Sequence, residues 1–70
     1  MELFKLKESE EYIELNNLIK RFGGVTTGGE AKMAINQGEV KVNNEVETRV
    51  RKKMRSGETV AYGSEEGKVE

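Results

Sequence analysis

Two short apolar–polar alternations flank the pair Asn43-Asn44: Val40-Lys41-Val42 before it, and Val46, Thr48 and Val50 alternating with Glu47 and Arg49 after it. Side chains of a strand point to opposite faces in turn, so this pattern predicts a β-hairpin with one apolar face. A hairpin alone is not stable in water. The rest of the chain must therefore supply something to cover that face. A two-residue turn at Asn43-Asn44 would set Glu45 opposite Val42, whereas a three-residue loop or a bulge sets Val46 opposite Val42 and Glu47 opposite Lys41. Side-chain parity favours the second register.

The cover is predicted from two helices. Ser9 can cap a helix whose first turn holds Glu10 and Glu11, with Tyr12, Leu15, Leu18, Ile19 and Phe22 on one stripe and Gly23-Gly24 as its stop. Thr27-Gly28-Gly29-Glu30 fits a capping box at the start of a second helix, with Ala31, Ala34 and Ile35 inward and Gly38 as its end. Before them, residues 2–7 read as a short extended segment. After the hairpin, Ser56-Gly57 marks a turn and residues 59–62 a strand. Residues 63–70 are polar and are expected to fray. The expectation is an α+β fold: two packed short helices, then a hairpin and a further strand in a small antiparallel or mixed sheet. One domain over residues 1–70 is expected, with its core in 9–62.

With 70 residues and 34% apolar content, one small core is affordable. Cysteine and histidine are absent, so no disulfide or thiolate–imidazole metal site can staple it, and no cofactor is expected. Neither a membrane-length apolar run nor a signal peptide is visible, so a cytoplasmic protein is expected.

The charge is uneven. Net charge is -1, yet residues 20–57 hold nine Lys or Arg against four Glu, while both flanking stretches are acidic. If the strand runs extended to residue 55, Arg49, Arg51, Lys53 and Arg55 share its polar face, roughly 6–7 Å apart. Lys52 then falls on the inward side with Val50 and Met54. So dense a run of like charges repels itself and predicts an external polyanion, against the blander reading of a solvated edge that blocks aggregation. A second anion contact is the start of the second helix, where Thr27, Gly28 and Gly29 can offer backbone N–H groups; ordinary capping is the competing role.

Other chemistries fit poorly. The stretch Gly24 to Gly29 has the glycine spacing of a nucleotide-binding loop, but Glu30 stands where that motif requires lysine. All thirteen acidic residues are Glu, and none has a histidine or cysteine to work with. An enzyme is not expected.

Leu15, Gly23, Ala31, Gly38, Val42-Asn43, Gly57 and Val60, in that order, resemble the S-four RNA-binding domain, also called the α-L domain. The run GGEAKMAINQGEVKVNNEVETRVRKK is most similar to its small stand-alone bacterial members. The resemblance implies an L-shaped face of two helices and a hairpin that holds structured RNA, ribosomal or transfer RNA foremost. It places Lys32 at a usually basic helix position, Asn43 at the hairpin asparagine, and Arg49, Arg51, Lys52 and Lys53 on the basic strand. Glu14 and Gly28 depart from it, standing where many such domains have arginine, and Asn44 replaces the usual glycine. The RNA-contacting set is thus expected to be Thr27, Gly28, Gly29, Lys32, Lys41, Asn43, Arg49, Arg51, Lys52, Lys53 and Arg55. The expected partner is structured RNA, with the ribosome a candidate, no DNA preference, no membrane and a monomeric state. The alternative is a protein-interaction module docking an acidic partner.

Overall fold

A computed structural model describes residues 2–22, 25 and 27–70. In chain order the elements are β1 (Glu2–Phe4), β2 (Ile13–Glu14), α1 (Leu15–Phe22), α2 (Gly28–Asn36), β3 (Val40–Val42), β4 (Glu45–Val46), β5 (Lys53–Met54), β6 (Thr59–Tyr62) and β7 (Glu65–Val69). Five strands form one mixed sheet in the order β1-β7-β6-β3-β4, and β2 pairs with β5 in a separate two-stranded ribbon. The α+β expectation holds.

The core is built where the apolar periodicities meet. Leu15, Leu18 and Ile19 of α1 pack with Ala31, Ala34 and Ile35 of α2, and Val40, Val42, Val60 and Val69 supply the sheet side. Thr27 caps α2, its hydroxyl accepting the Glu30 N–H at 3.2 Å. At the other end Gly38 takes φ +78°, which lets its N–H reach the Ile35 carbonyl and the Glu39 N–H reach that of Ala34. No helix among the described residues is long and apolar enough to cross a membrane.

Four expectations are corrected. First, α1 begins at Leu15, not after Ser9. Residues 7–10 close a turn in which the Glu10 carboxylate takes the Lys7 N–H at 3.0 Å and the Glu10 N–H donates to the Lys7 carbonyl at 2.9 Å. Ile13 and Glu14 then pair with Met54 and Lys53. The helix takes a distant cap: the Leu15 and Asn16 N–H groups donate to the carbonyls of Lys52 and Val50, at 2.9 and 3.1 Å. The stop expected at Gly23-Gly24 and the Phe22 side chain lie outside the described residues.

Second, the hairpin turns in two residues. Val42 faces Glu45 and Lys41 faces Val46, with Asn43 and Asn44 both left-handed at φ 52° and 70°. Asparagine tolerates that conformation. Side-chain parity does not set this register, because β4 is a sheet edge and Val46, expected to be buried, is 56% exposed. Third, residues 63–70 do not fray. β7 lies between β6 and β1, antiparallel to the first and parallel to the second, and Val69 is fully buried. Fourth, the N-terminal strand is shorter than residues 2–7.

Candidate functional site

No straight strand carries the cations. After β4 the chain turns at Val50-Arg51, where the Lys52 N–H donates to the Arg49 carbonyl at 3.3 Å, and only Lys53 and Met54 are paired. The bend has a cause: Val50 and Met54 pack against the core, while the carbonyls of Val50 and Lys52 are turned toward the start of α1. The same bend collects the basic residues. Arg49, Arg51, Lys52 and Lys53 line one open depression of about 440 Å³, and Arg55 is exposed just beyond it.

The five cations fall into two kinds. Arg49 grips Glu47 twice through its side chain, Nε to Oε2 at 3.0 Å and Nη2 to Oε1 at 3.1 Å, and its backbone N–H adds a third bond at 2.9 Å. The Glu47 side chain is only 13% exposed and that of Arg49 is 73% exposed. Half-buried Lys52 reaches back to Glu58 at 3.3 Å. By contrast Arg51, Lys53 and Arg55 are exposed and hold no carboxylate within 4.0 Å among the described residues. Lys53 and Arg55 lie instead over the ring of Tyr12, at 5.1 and 5.8 Å from its centroid.

The hydrogen bonds from the Arg49 side chain pull the Glu47 carboxyl down from 4.5 to about 2, with burial opposing and the Arg49 N–H and the charges of Arg49 and Lys52 assisting. A carboxyl whose folded pKa is depressed adds stability above its unfolded pKa and loses it as pH falls through the folded one. The clamp is therefore expected to be fully in force above about pH 4.5 and to open only toward pH 2. A carbon-detected NMR titration checks this: a Glu47 midpoint near the ordinary 4.5 would mean that the clamp is absent in solution.

Glu58 is a hub that the sequence did not single out. Its Oε2 accepts from Asn43 Nδ2 and from Lys52 Nζ, each at 3.3 Å, and its Oε1 accepts the Arg55 N–H at 2.8 Å. Burial pushes this carboxyl up, but those donors and the Lys52 charge together hold it below its ordinary value. Asn43 is similarly committed: its Oδ1 accepts the Thr59 N–H at 3.0 Å, bracing the hairpin turn against β6. The side-chain amide expected to contact RNA is thus occupied mainly in holding the turn.

The remaining expected residues are not gathered with the depression. Gly28, Gly29 and Lys32 are exposed on the first turns of α2. Lys20, near the C-terminal end of α1, places its Nζ 3.9 Å from where a Gly28 Cβ would stand, adding a cation there that the sequence did not pick out. The depression adjoins the other end of α1, and eight helical residues span about 12 Å. Lys41 borders a separate shallow hollow with Asn44, Thr59 and Glu66. Two basic contacts at the ends of one helix can meet two stretches of a single polyanion.

Comparison with known proteins sets this arrangement in context. The model of the S4 domain family matches residues 4–70. The protein YbcJ of Escherichia coli (strain K12) is 45% identical over 51 residues, covering 73% of each chain, and YbcJ of Shigella flexneri matches to the same extent. The solution structure of the Escherichia coli YbcJ superposes with a TM-score of 0.72 at 39% identity, covering 99% of this chain and 86% of that one. That structure is described as revealing an αL motif involved in RNA binding.

Proposed function

The chain belongs to the S4 domain family, and on that premise we propose that it binds folded RNA without catalysing a reaction on it. One observation carries this reading: a chain with a net charge of -1 brings Arg49, Arg51, Lys52 and Lys53 around one depression. Within roughly a Debye length, such a cluster attracts phosphate whatever the total charge. Arg51, Lys53 and Arg55, with no carboxylate partner among the described residues, are the cations that meet phosphate oxygens, while Arg49 and Lys52, held by Glu47 and Glu58, set the shape of the rim. The start of α2, with Lys20 and Lys32, is the second phosphate contact. Phosphate contacts positioned in this way read backbone geometry more than sequence, which suits the structured RNA classes, ribosomal and transfer RNA.

Salt dependence tests the mechanism. With three to five phosphates neutralised, log affinity for a stem-loop RNA is expected to fall against log salt with a slope of roughly -2 to -4.5. A slope near zero would remove the electrostatic basis. Saturable binding to an acidic protein, undisturbed by excess stem-loop RNA, would favour a protein partner instead.

A further inference from the structure

Tyr12 stands outside the core, although Ile13 beside it is buried there. It precedes β2, outside the buried cluster, and is only half-buried. The cations of Lys53 and Arg55 lie over its ring, brought there by the pairing of β2 with β5. Tyr12 also lines an open depression of about 470 Å³ together with Ser9, Ile13, Asn17 and three glutamates. We propose that Tyr12 and this depression hold one unstacked base of the bound RNA, with the adjoining phosphates on Lys53 and Arg55.

The inference deepens the RNA reading and rests on it. Three features favour a base over other occupants. Half-buried Tyr12 sits at the hollow beside two cations that hold no carboxylate among the described residues, and single-stranded nucleotides are held by such a pairing of an aromatic ring with a backbone contact. The carboxylates of Glu10, Glu11 and Glu14 line the same hollow and repel phosphate, so only the uncharged part of a nucleotide suits it. Lys53 and Arg55, 5.1 and 5.8 Å from the ring centroid, are near enough to take the phosphates that flank a base held at Tyr12. A loop or bulge of folded RNA supplies such a base; a continuous duplex does not.

The test compares a stem-loop RNA with a fully paired duplex of equal length. Tyr12→Leu is expected to weaken stem-loop binding roughly 5- to 100-fold, the usual effect of removing one stacking aromatic, and to leave duplex binding within twofold. Tyr12→Phe should bind both RNAs as the unaltered protein does. Tyr12 and Tyr62 are the two tyrosines and there is no tryptophan, so in a Tyr62→Phe variant the emission reports Tyr12 alone. Saturating stem-loop should quench that emission and duplex should not. This second readout leaves the depression intact and decides the matter should Tyr12→Leu fail to fold. Equal loss on both RNAs, or no quenching at saturation, overturns the assignment and leaves Tyr12 as a prop for Lys53 and Arg55. If the unaltered protein binds neither RNA, the RNA reading falls, and this inference falls with it.

Discussion

A chain ended after Ser64 is expected to lose its cooperative fold altogether. β7 is hydrogen-bonded on both edges, to β6 from Thr59–Lys68 through Tyr62–Glu65 and to β1 from Glu2–Gly67 through Phe4–Val69. Its removal leaves β1 with no neighbour and turns β6 into an open edge. Three further ties go with residues 65–70: the Gly57 N–H to the Val69 carbonyl at 2.7 Å, the Val69 N–H to the Glu58 carbonyl at 2.9 Å and the Glu70 N–H to the Phe4 carbonyl at 2.8 Å. The core loses Val69, worth about 1.5–3 kcal/mol when fully buried, and the half-buried Phe4 loses its anchorage. A domain of this length has only roughly 4–10 kcal/mol in total. Far-UV circular dichroism through a urea titration checks the outcome. A truncated chain with a sharp unfolding transition would show that β7 is dispensable. Val69→Ala should keep the fold and lower its stability by about 1.5–3 kcal/mol, which places the effect in the strand and not in some property of the shortened tail.

That dependence on β7 was invisible in the sequence for a physical reason. Residues 65–69 read Glu-Glu-Gly-Lys-Val, with a single apolar side chain to announce a strand. The strand exists because β6 and β1 each need a partner, a demand made by residues far away. The start of α1 is the same case. Ser9, Glu10 and Glu11 are good first-turn residues, yet the turn closed by Glu10 and the carbonyls of Val50 and Lys52 move the helix start to Leu15. Where the signal was local, the sequence was enough: Thr27 and Gly38 bound α2, Ala31, Ala34 and Ile35 face inward, and residues 59–62 form a strand.

The candidate site divides along the same line. Alternation correctly left Arg49, Arg51, Lys53 and Arg55 exposed and turned Met54 inward, because parity depends only on neighbours. The curl that replaces a straight ladder was hidden, since it follows from the docking of residues 50–52 on α1. So was the split of the cations, because Glu58 reaches Lys52 only after a turn has brought β6 beside it. Tyr12 was assigned to a helix stripe, and its place beside Lys53 and Arg55 depends on the β2–β5 pairing.

This division of the cations leads to the second large effect. Replacing Arg51, Lys53 and Arg55 together by Gln is expected to weaken stem-loop binding about a hundredfold or more near 0.1 M salt, since each phosphate contact contributes roughly 0.7–0.9 logarithmic units there. The salt slope should shrink by roughly 2 to 3 in the same variant. Stability should barely move, because the three side chains are exposed, and removing neighbouring like charges relieves repulsion. Replacing Arg49 and Lys52 by Gln should do the reverse. Glu47 and Glu58 then lose their charged partners while partly buried, so the cost falls on folding, and the salt slope changes less than in the triple variant. The two variants must be measured side by side, by binding isotherms at several salt concentrations and by urea unfolding. Equal binding losses from both sets would mean that the carboxylates do not restrain Arg49 and Lys52 in solution. Undiminished binding by the triple variant would move the RNA contact away from this depression, leaving the start of α2 as its remaining place.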